Sequence, residues 1–460
     1  MGWAGKIDIS GRKGYSAVMR ARISPHTFSG TVRIPASKSH TIRQLIIASL
    51  AGGVSEIIHP LDSLDTQSCA AACRVLGATI TERRAPDTQL VSYTVEGING
   101  FPKSVSHRLI DVGNSGTTLY LVMAVAGLGS DPFELTGDEQ IQRRSAAPLL
   151  EALAGLGIRA ESVKGNGCVP IVIQGPWKGG QVSLSCPTSQ YLSALLLAAP
   201  AAPAGTITDV AVPLLNERPY IEMTLSYLDS QGIPWEAPPD FSRFVIPGGA
   251  SWKPFSRSVP GDFSSAAFPA CAAAISGNPV TLLGLDPHDV QGDKFFLEML
   301  AAMGCTVNWE QVAASVNSAE YSVTISRNGP LRGGTFDLNA TPDLLPAAAV
   351  TAAFAEGDTA LVNVAHARIK ETDRIAVMAE ELAKLGIRCT ERPDGLIVHG
   401  GGVSGGHTGA VIDSRGDHRI VMAFAAAALS TQAPIEIDRA ESAAVTYPGF
   451  LELLQAEYVS

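Results

Sequence analysis

A helical segment of one kind recurs along the chain at a nearly constant interval, and this recurrence limits the folds that the chain can adopt. Each copy has a polar opening, then Ala, Leu and Val on nearly every face, and then glycine or polar residues. The six copies begin at Thr41, Ser115, Ser189, Phe263, Pro342 and Asp417, at intervals of 74, 74, 74, 79 and 75 residues. Because helices that are apolar on all sides are buried, the sequence predicts six core helices in six repeated units of about 75 residues.

A second, more amphipathic series of helices alternates with the first. Five of its members end in a hydrophobic-x-Gly-hydrophobic pattern, with the glycines at Gly77, Gly157, Gly232, Gly304 and Gly386. Glycine just after a helix, followed by β-branched residues, is typical of a C-cap that leads into a strand. A sixth helix, GFLELLQAEYV, is expected to end the chain with no strand after it. The strand SGTVRIP at residues 29–35 is expected to complete that last unit, which would place both termini in one domain.

These patterns predict an α/β fold with two domains of three units each. A chain of 460 residues exceeds what one hydrophobic core usually supports. The alternative is a generic α/β protein whose helices share a spacing by coincidence, and three successive intervals of 74 residues make it the weaker interpretation.

Composition excludes several classes of partner. The net charge is −10 and only 17% of the residues are charged, which argues against nucleic-acid and membrane-surface binding, since both need extended basic faces. No apolar run is long enough to span a bilayer. The first 24 residues lack the apolar segment of a secretory signal, and an early strand through SAVMRARI is favoured there over a transit peptide. Seven cysteines without regular spacing indicate a reducing cytosol, with Cys69 and Cys73 as packing residues, and no metal site is expected.

Cations at helix starts are the feature that points to a ligand. Lys38, Arg43 and Arg419 lie at or near the starts of apolar helices, and Arg143 and Arg144 precede a helix of the second series. The helix dipole disfavours positive charge at these places. If the starts converge, they form a cationic cleft suited to a ligand with two or more phosphates or carboxylates.

Two carboxylates are expected inside that cleft. Asp343 opens the fifth buried helix, and Glu371 lies in the run ARIKETDR beside Lys370 and Arg374. Carboxylates among cations stay ionised and accept protons, so the residues favour proton transfer with electrostatic stabilisation. Ser, Thr, Asn and Asp at the helix openings are also ordinary N-caps, and that is the interpretation preferred for Asp262 and Asp417.

The chain resembles the 5-enolpyruvylshikimate-3-phosphate synthase family of enolpyruvyl transferases from Ser29 almost to its C-terminus. The motifs, in the family's order, are PASKSHTIR, GNSGTT, TSQYLSALL, RPYIEMT, KETDRI and GDHRI. The resemblance implies six βαβαββ units in two domains of three, with helix N-termini facing an interdomain cleft. It implies an inserted domain at 38–258 and a discontinuous domain formed by 1–37 and 259–460.

The activity implied by the resemblance is transfer of the enolpyruvyl group of phosphoenolpyruvate to the 5-hydroxyl of shikimate 3-phosphate, with release of phosphate. This step belongs to the shikimate pathway of aromatic amino-acid biosynthesis. The resemblance implies no metal or organic cofactor and no partners beyond the two substrates. We expect a cytoplasmic monomer.

Site residues are implied position by position. Catalytic roles fall to Asp343 as acceptor of the hydroxyl proton, Glu371 as the carboxylate that protonates the vinyl carbon, and Lys38. The positions that match shikimate 3-phosphate ligands are Lys38, Ser39, Arg43, Thr188, Ser189, Tyr220, Asp343, His366 and Lys370. The positions that match phosphoenolpyruvate ligands are Lys38, Gly116, Arg144, Gln190, Arg374 and Arg419. At Gly116, the missing side chain is implied to leave room for phosphoenolpyruvate and for the inhibitor glyphosate.

The sequence departs from the familiar bacterial pattern at four positions. His366 replaces an asparagine, and Glu217 replaces a serine that donates to the shikimate phosphate, which an ionised carboxylate cannot do. Tyr120 stands where an arginine is usual and Val445 where a lysine is usual. We expect a neighbouring arginine, Arg143 or Arg415, to supply replacement charge.

Other functions stay open at this point. UDP-N-acetylglucosamine enolpyruvyl transferase shares the implied fold, but its Lys-Asn pair and loop cysteine are not seen in this sequence. A divergent transferase acting on another phosphorylated or nucleotide-linked alcohol is a second alternative. A non-catalytic or RNA-end-processing relative is the third, and the acidic composition with Lys38, Asp343 and Glu371 argues against it.

Overall fold

The computed structural model describes residues 19–85, 90–102, 108–315, 318–402 and 407–459. Its helices are α1 (Lys38–Leu50), α2 (Leu64–Val75), α3 (Gly116–Ala126), α4 (Ala147–Gly155), α5 (Gln190–Ala198), α6 (Arg218–Gln231), α7 (Phe263–Ser276), α8 (Phe295–Ala302), α9 (Leu345–Ala353), α10 (Arg374–Lys384), α11 (His418–Ala428) and α12 (Phe450–Leu453). Short 3₁₀ turns include Ile141–Arg143, Pro342–Leu344 and Ala365–Ile369.

The strands are short, and most lie between the helices. They are β1 (Arg20–Ile23), β2 (Gly30–Arg33), β3 (Val54–Ile58), β4 (Thr79–Arg84), β5 (Val91–Glu96), β6 (Leu109–Asp111), β7 (Phe133–Thr136), β8 (Arg159–Ser162), β9 (Ile171–Gln174), β10 (Gly180–Ser183), β11 (Ile207–Ala211), β12 (Arg243–Pro247), β13 (Ser256–Ser258), β14 (Val280–Leu283), β15 (Cys305–Ser315), β16 (Ser318–Arg327), β17 (Thr335–Asp337), β18 (Glu356–Val362), β19 (Arg388–Arg392), β20 (Gly395–Gly401), β21 (Val411–Asp413), β22 (Ile435–Asp438) and β23 (Glu457–Val459).

The described residues form six small sheets, which confirm the predicted α/β fold of repeated units. The sheet orders are β13-β3-β5-β4, β6-β7-β9-β8, β10-β11-β12, β15-β16-β14-β2, β17-β18-β20-β19 and β21-β22-β1-β23. The second sheet shows the pattern: β6 and β7 are parallel, and β9 pairs antiparallel with both β7 and β8. With α3 and α4 between the strands, the chain order of this unit is βαβαββ.

The apolar helices of the first series form the interior. Helices α1, α3, α5, α7 and α11 begin within three residues of the predicted positions, and α9 follows the 3₁₀ turn that begins at the predicted Pro342. Nearly all of their side chains are buried, because small Ala residues allow neighbouring elements to pack closely on every face. The glycines of the second series all have positive φ, as the predicted C-caps require.

Two separate hydrophobic cores divide the chain. The first core contains buried residues from 21–34 and 263–454, and the second core contains buried residues from 42–259. Strand β2 precedes α1 in sequence but pairs in parallel with β14, whereas β13 precedes α7 but pairs in parallel with β3. The chain therefore passes between the cores twice, from β2 to α1 and from β13 to α7, and each time it leaves a strand of one core and continues with a helix of the other.

The prediction for the two ends of the chain was wrong in detail. SGTVRIP does not complete the last unit, because its strand β2 lies beside β14. Strand β1 completes that unit instead, pairing with β22 and β23. Helix α12 is only four residues long, since Gln455 adopts a left-handed conformation with φ 54° that ends it, and strand β23 follows. The predicted strand SAVMRARI begins among residues that lie outside the described ranges, and β1 covers its last four positions.

Two sequence-based expectations concern cysteines and membranes. Cys69 and Cys73 are fully buried in the second core, in agreement with their assignment as packing residues. None of the helices in the described ranges is long and apolar enough to cross a membrane.

Candidate active site

The starts of all six buried helices open onto one cavity of about 580 Å³. Its wall contains, from the starts of successive helices, Lys38 and Ser39, Gly116 and Thr117, Ser189 and Gln190, Asp262 and Ser264, Asp343, and His418 and Arg419. The cavity lies between the two cores, because α1, α3 and α5 belong to the second core and α7, α9 and α11 to the first. The convergence that the cationic helix starts predicted is therefore present in the structure.

The structure brings the sequence-predicted site residues together in this cavity. Those that line it are Lys38, Ser39, Arg43, Gly116, Arg144, Thr188, Ser189, Gln190, Tyr220, Asp343, His366, Lys370, Glu371 and Arg419. Arg374 is the one predicted residue outside the lining, since its side chain is fully buried behind the wall.

Arg374 pairs with three carboxylates, of which Asp343 and Glu371 line the cavity and Asp417 is fully buried. Its guanidinium lies 2.7 Å from Asp343 Oδ1, 2.6 Å from Glu371 Oε2 and 2.8 Å from Asp417 Oδ2. Arg374 is thus fully buried among three acidic partners, and its assignment as a phosphoenolpyruvate ligand stays a prediction. Its contacts hold Asp343 and Glu371, which both line the cavity.

Asp343 and Glu371 are held as anions. Burial acts to raise the pKa of Asp343, but Arg419, Lys370 and Arg374 outweigh it and hold that pKa below its usual range. Burial likewise opposes Arg144 and Arg374 at Glu371, and the cations again lower the pKa well below the usual value. The contacts agree, because Arg419 lies 2.9 Å from Asp343 and Arg144 lies 3.1 Å from Glu371.

Lys38 forms an ion pair with Asp65, a residue that was not predicted to belong to the site. The Lys38 ammonium lies 3.2 Å from Asp65 Oδ2, and the pKa of Asp65 is raised by burial despite that contact. Asp65 Oδ1 is buried without a hydrogen-bond partner. No local pattern distinguishes this residue, since an acid in the first turn of α2 is also what the helix dipole favours.

Thr188 and Ser189 donate hydrogen bonds to the carboxylate of Glu217. Glu217 Oε2 accepts hydrogen bonds from Thr188 Oγ1 at 3.2 Å, Ser189 N at 3.0 Å and Ser189 Oγ at 2.7 Å. The other oxygen of Glu217 accepts from the Lys370 ammonium. Burial acts to raise the pKa of Glu217, but Lys370 outweighs it and the pKa is lowered.

The remaining predicted residues are anchored by polar contacts. Arg43 is buried and donates to Thr224 Oγ1 at 2.9 Å, and burial lowers its pKa to about 10. Tyr220 donates to Asp293 Oδ2 at 2.6 Å, joining the two cores. Asp293 was not predicted from the sequence, and burial, with the nearby charge of Asp343, raises its pKa to about 7. His366 Nε2 contacts the Asn339 carbonyl at 3.1 Å.

Gly116 leaves space that Arg144 fills. A Cβ at Gly116 would lie 2.6 Å from Arg144 Nη1, closer than real Cβ contacts. The backbone conformation is ordinary α-helix, so a side chain at this position would displace the Arg144 guanidinium without straining the backbone. Gln190 lies on the same side and donates to Thr117 Oγ1 at 3.2 Å.

The two positions that lack a cation differ in their surroundings. Tyr120 is buried beside the cavity, with its hydroxyl 3.3 Å from the Ser145 carbonyl and its ring edge-on to Tyr191. Val445 ends the 3₁₀ turn Ala440–Val445 and is not among the lining residues. Of the two proposed replacements, Arg143 lines the cavity, whereas the Arg415 side chain pairs with Glu380 outside it.

The N-cap interpretation of two aspartates agrees with the structure. Asp262 accepts from Ser264 N at 2.9 Å, and Asp417 accepts from Arg419 N at 2.9 Å. Asp417 also pairs with Arg374, so it has a second role that capping alone did not predict. Within the described part of the chain, no group of three or more His, Cys, Asp or Glu side chains is arranged to hold a metal ion.

Comparison with known proteins places this geometry in a family. A family model described as EPSP synthase (3-phosphoshikimate 1-carboxyvinyltransferase) matches residues 24–454. The 3-phosphoshikimate 1-carboxyvinyltransferase of Acetivibrio thermocellus is 44% identical over 436 residues, covering 95% of this chain and 97% of the relative. The enzyme of that name from Halorubrum lacusprofundi is 40% identical over 457 residues, with coverage of 95% and 97%.

Solved structures agree with the sequence relatives. EPSP synthase from Acinetobacter baumannii matches with a TM-score of 0.79 at 27% identity, covering 96% of this chain and 100% of that one. The membership predicted from the six motifs is confirmed: this chain belongs to the EPSP synthase (3-phosphoshikimate 1-carboxyvinyltransferase) family.

Proposed function

We propose that this protein transfers the enolpyruvyl group of phosphoenolpyruvate to the 5-hydroxyl of shikimate 3-phosphate, and that the reaction takes place in the cavity between the two cores. The observation that carries the proposal is the pair Asp343 and Glu371, held side by side by Arg374 and facing a cavity lined by Lys38, Arg144 and Arg419. Cations there neutralise two anionic substrates, and carboxylates there move protons.

Asp343 is placed to accept the proton of the attacking hydroxyl. As the 5-hydroxyl oxygen bonds to C2 of phosphoenolpyruvate, its proton passes to the Asp343 carboxylate and C3 takes a proton from Glu371. A C3 proton then returns to the Glu371 carboxylate as the bond between C2 and the phosphate oxygen breaks, and the phosphate leaves with the proton held by Asp343, which restores the double bond and both carboxylates. The ionised state of Asp343 in the structure fits the role of acceptor.

Glu371 needs a proton before it can act as an acid. In the structure it is ionised and paired with Arg144 and Arg374. When the anionic groups of phosphoenolpyruvate bind Arg144, they compete for that guanidinium and place negative charge beside Glu371. Both effects raise the pKa of a carboxyl group. Substrate binding therefore prepares Glu371 to take up a proton.

The test is a phosphate-release assay with purified protein. Release is expected only when shikimate 3-phosphate and phosphoenolpyruvate are both present. Shikimate 3-phosphate replaced by UDP-N-acetylglucosamine should give no release. Equal release from phosphoenolpyruvate alone, or with the nucleotide sugar, would contradict the proposal.

We propose that the two cores correspond to an inserted domain at 38–258 and a discontinuous domain at 1–37 and 259–460. The distribution of side chains supports this division, since Arg43, Thr188 and Ser189 come from the second core's part of the chain and Asp343 and Glu371 from the first core's part. The inserted domain would bind mainly shikimate 3-phosphate.

We also propose that the protein is a monomer in the cytoplasm. Light scattering of the purified protein tests the oligomeric state.

Gly116→Ala is expected to raise the KM for phosphoenolpyruvate at least tenfold. The added Cβ displaces the Arg144 guanidinium, and one charge-assisted hydrogen bond is worth about 1.5–3 kcal/mol. The KM for shikimate 3-phosphate should change little. Steady-state kinetics measure both, with Gly329→Ala as the control, because a Cβ at Gly329 meets nothing within 4 Å. An unchanged KM for phosphoenolpyruvate in Gly116→Ala would show that Arg144 does not contribute to binding that substrate.

Arg143→Ala is expected to raise the KM for phosphoenolpyruvate, since Arg143 lines the same cavity as Tyr120, which stands where an arginine is usual. The contact is exposed, so a change of several-fold is expected rather than a loss of activity. Arg415→Ala is the matched control, because that side chain pairs with Glu380. Equal KM values in wild type and Arg143→Ala would show that Arg143 does not compensate.

A further inference from the structure

Glu217 fills an anion-binding position with its own carboxylate. Its side chain is 2% exposed, and its backbone has φ 59° at the start of α6, a left-handed conformation that is uncommon for a residue other than glycine. This turn directs the carboxylate to the N-terminus of α5. There it accepts the two hydroxyls and one backbone N–H of Thr188 and Ser189, and the ammonium of Lys370.

The donors around Glu217 form a receptor for an anion. A helix N-terminus with free N–H groups, adjacent hydroxyls and a lysine is the combination that binds phosphate oxygens in proteins. A hydroxyl proton serves one acceptor at a time, and the protons of Thr188 and Ser189 are directed to Glu217 Oε2. A phosphate could receive them only after the carboxylate has moved away.

Two anions sharing these donors would be strongly unfavourable. The position is buried, and like charges at hydrogen-bond distance in a buried site repel with little screening by water. Glu217 and an incoming phosphate therefore exclude each other. Lys370, whose pKa is raised by Glu217 and Asp343 in spite of burial, stays charged for either anion.

We propose that Glu217 is an internal competitor for the acceptor's phosphate, so that shikimate 3-phosphate binds by exchanging one anion for another. This inference rests on the proposed function for the identity of the acceptor. It makes Glu217 a residue that determines affinity and specificity: it weakens binding of a phosphorylated acceptor and has no such effect on the unphosphorylated alcohol. Glu217 thus does not donate a hydrogen bond to the shikimate phosphate, as the serine usual at this position is expected to do, but competes with that phosphate for its donors.

Calorimetric titration of the full chain tests the exchange. Wild type, Glu217→Gln and Glu217→Ser are each titrated with shikimate 3-phosphate and with shikimate. Both variants should bind shikimate 3-phosphate at least tenfold more tightly than wild type, and shikimate within twofold of wild type. Glu222→Gln is the control, since Glu222 lies on the same helix, half exposed, paired with Arg218 at 2.9 Å; it should match wild type with both ligands.

A second measurement detects the anion position without the acceptor. Inorganic phosphate at millimolar concentration should raise the Tm of Glu217→Ser clearly more than that of wild type or Glu222→Gln. If the variants bind shikimate 3-phosphate no more tightly than wild type, or if phosphate raises all three Tm values equally, the inference is wrong and Glu217 only positions Thr188 and Ser189. Failure of the proposed function is distinguishable, because wild type would then release no phosphate from the two substrates while the Tm difference would persist.

Discussion

Replacement of Asp343 by asparagine is expected to lower kcat by about 10²–10⁴-fold, the usual contribution of a general base. Asparagine keeps the size of the side chain but cannot accept the hydroxyl proton as a base. Its carbonyl oxygen still accepts a hydrogen bond from Arg419 or Arg374, the two partners of Asp343 in the structure. Binding of both substrates should therefore change much less than turnover.

Single-turnover kinetics and equilibrium titration separate these effects. Asp293→Asn serves as the matched control: Asp293 is a buried carboxyl that contacts Tyr220, and the mechanism gives it no proton to accept from the hydroxyl. A kcat near the wild-type value in Asp343→Asn would show that Asp343 is not the base that accepts the hydroxyl proton.

Replacement of Arg374 by alanine is expected to lower the free energy of unfolding by about 3–5 kcal/mol, because it leaves buried carboxylates without their shared counter-ion. Arg374 contacts Asp343, Glu371 and Asp417 within 2.8 Å. Urea unfolding at neutral pH measures the change. Arg439→Ala is the control, since its exposed pair with Asp413 should contribute less than about 1 kcal/mol.

The effect of Arg374→Ala should depend on pH. The folded-state pKa values of Asp343 and Glu371 lie below their ordinary values of 3.8 and 4.5. The stabilisation that they contribute is therefore full above those ordinary values and is lost as the pH falls through the lowered ones. The difference between wild type and variant should shrink in acid. A difference as small as that of Arg439→Ala at neutral pH would show that Arg374 is not essential to the network.

Much of the fold was predictable because one unit is repeated. The spacing of apolar segments located the six buried helices, and the glycines located the ends of the second series. The pairing of β1 and β2 was not predictable, because each is a short strand with no local feature that selects one open sheet edge over another. The strand β23 was missed because the segment GFLELLQAEYV reads as one amphipathic helix, in which nothing marks the left-handed Gln455 that separates α12 from β23.

The residues of the candidate site were likewise predictable from the sequence only in part. Cations at helix starts oppose the dipole, so Lys38, Arg43 and Arg419 gave a signal in the sequence. Asp65 and Asp293 gave none, because their roles depend on contacts between segments distant in sequence. Arg374 was expected near Glu371 from its place in the run KETDR, yet its complete burial and its contacts with Asp343 and Asp417 appear only in three dimensions.

The most direct test of the central claim is to identify the product made by the purified protein from ¹³C-labelled phosphoenolpyruvate and shikimate 3-phosphate. Nuclear magnetic resonance should show the labelled enolpyruvyl group joined as an enol ether to the 5-hydroxyl, with one phosphate released per ether formed. Phosphate released without the ether, or an ether on a different hydroxyl, would contradict the account.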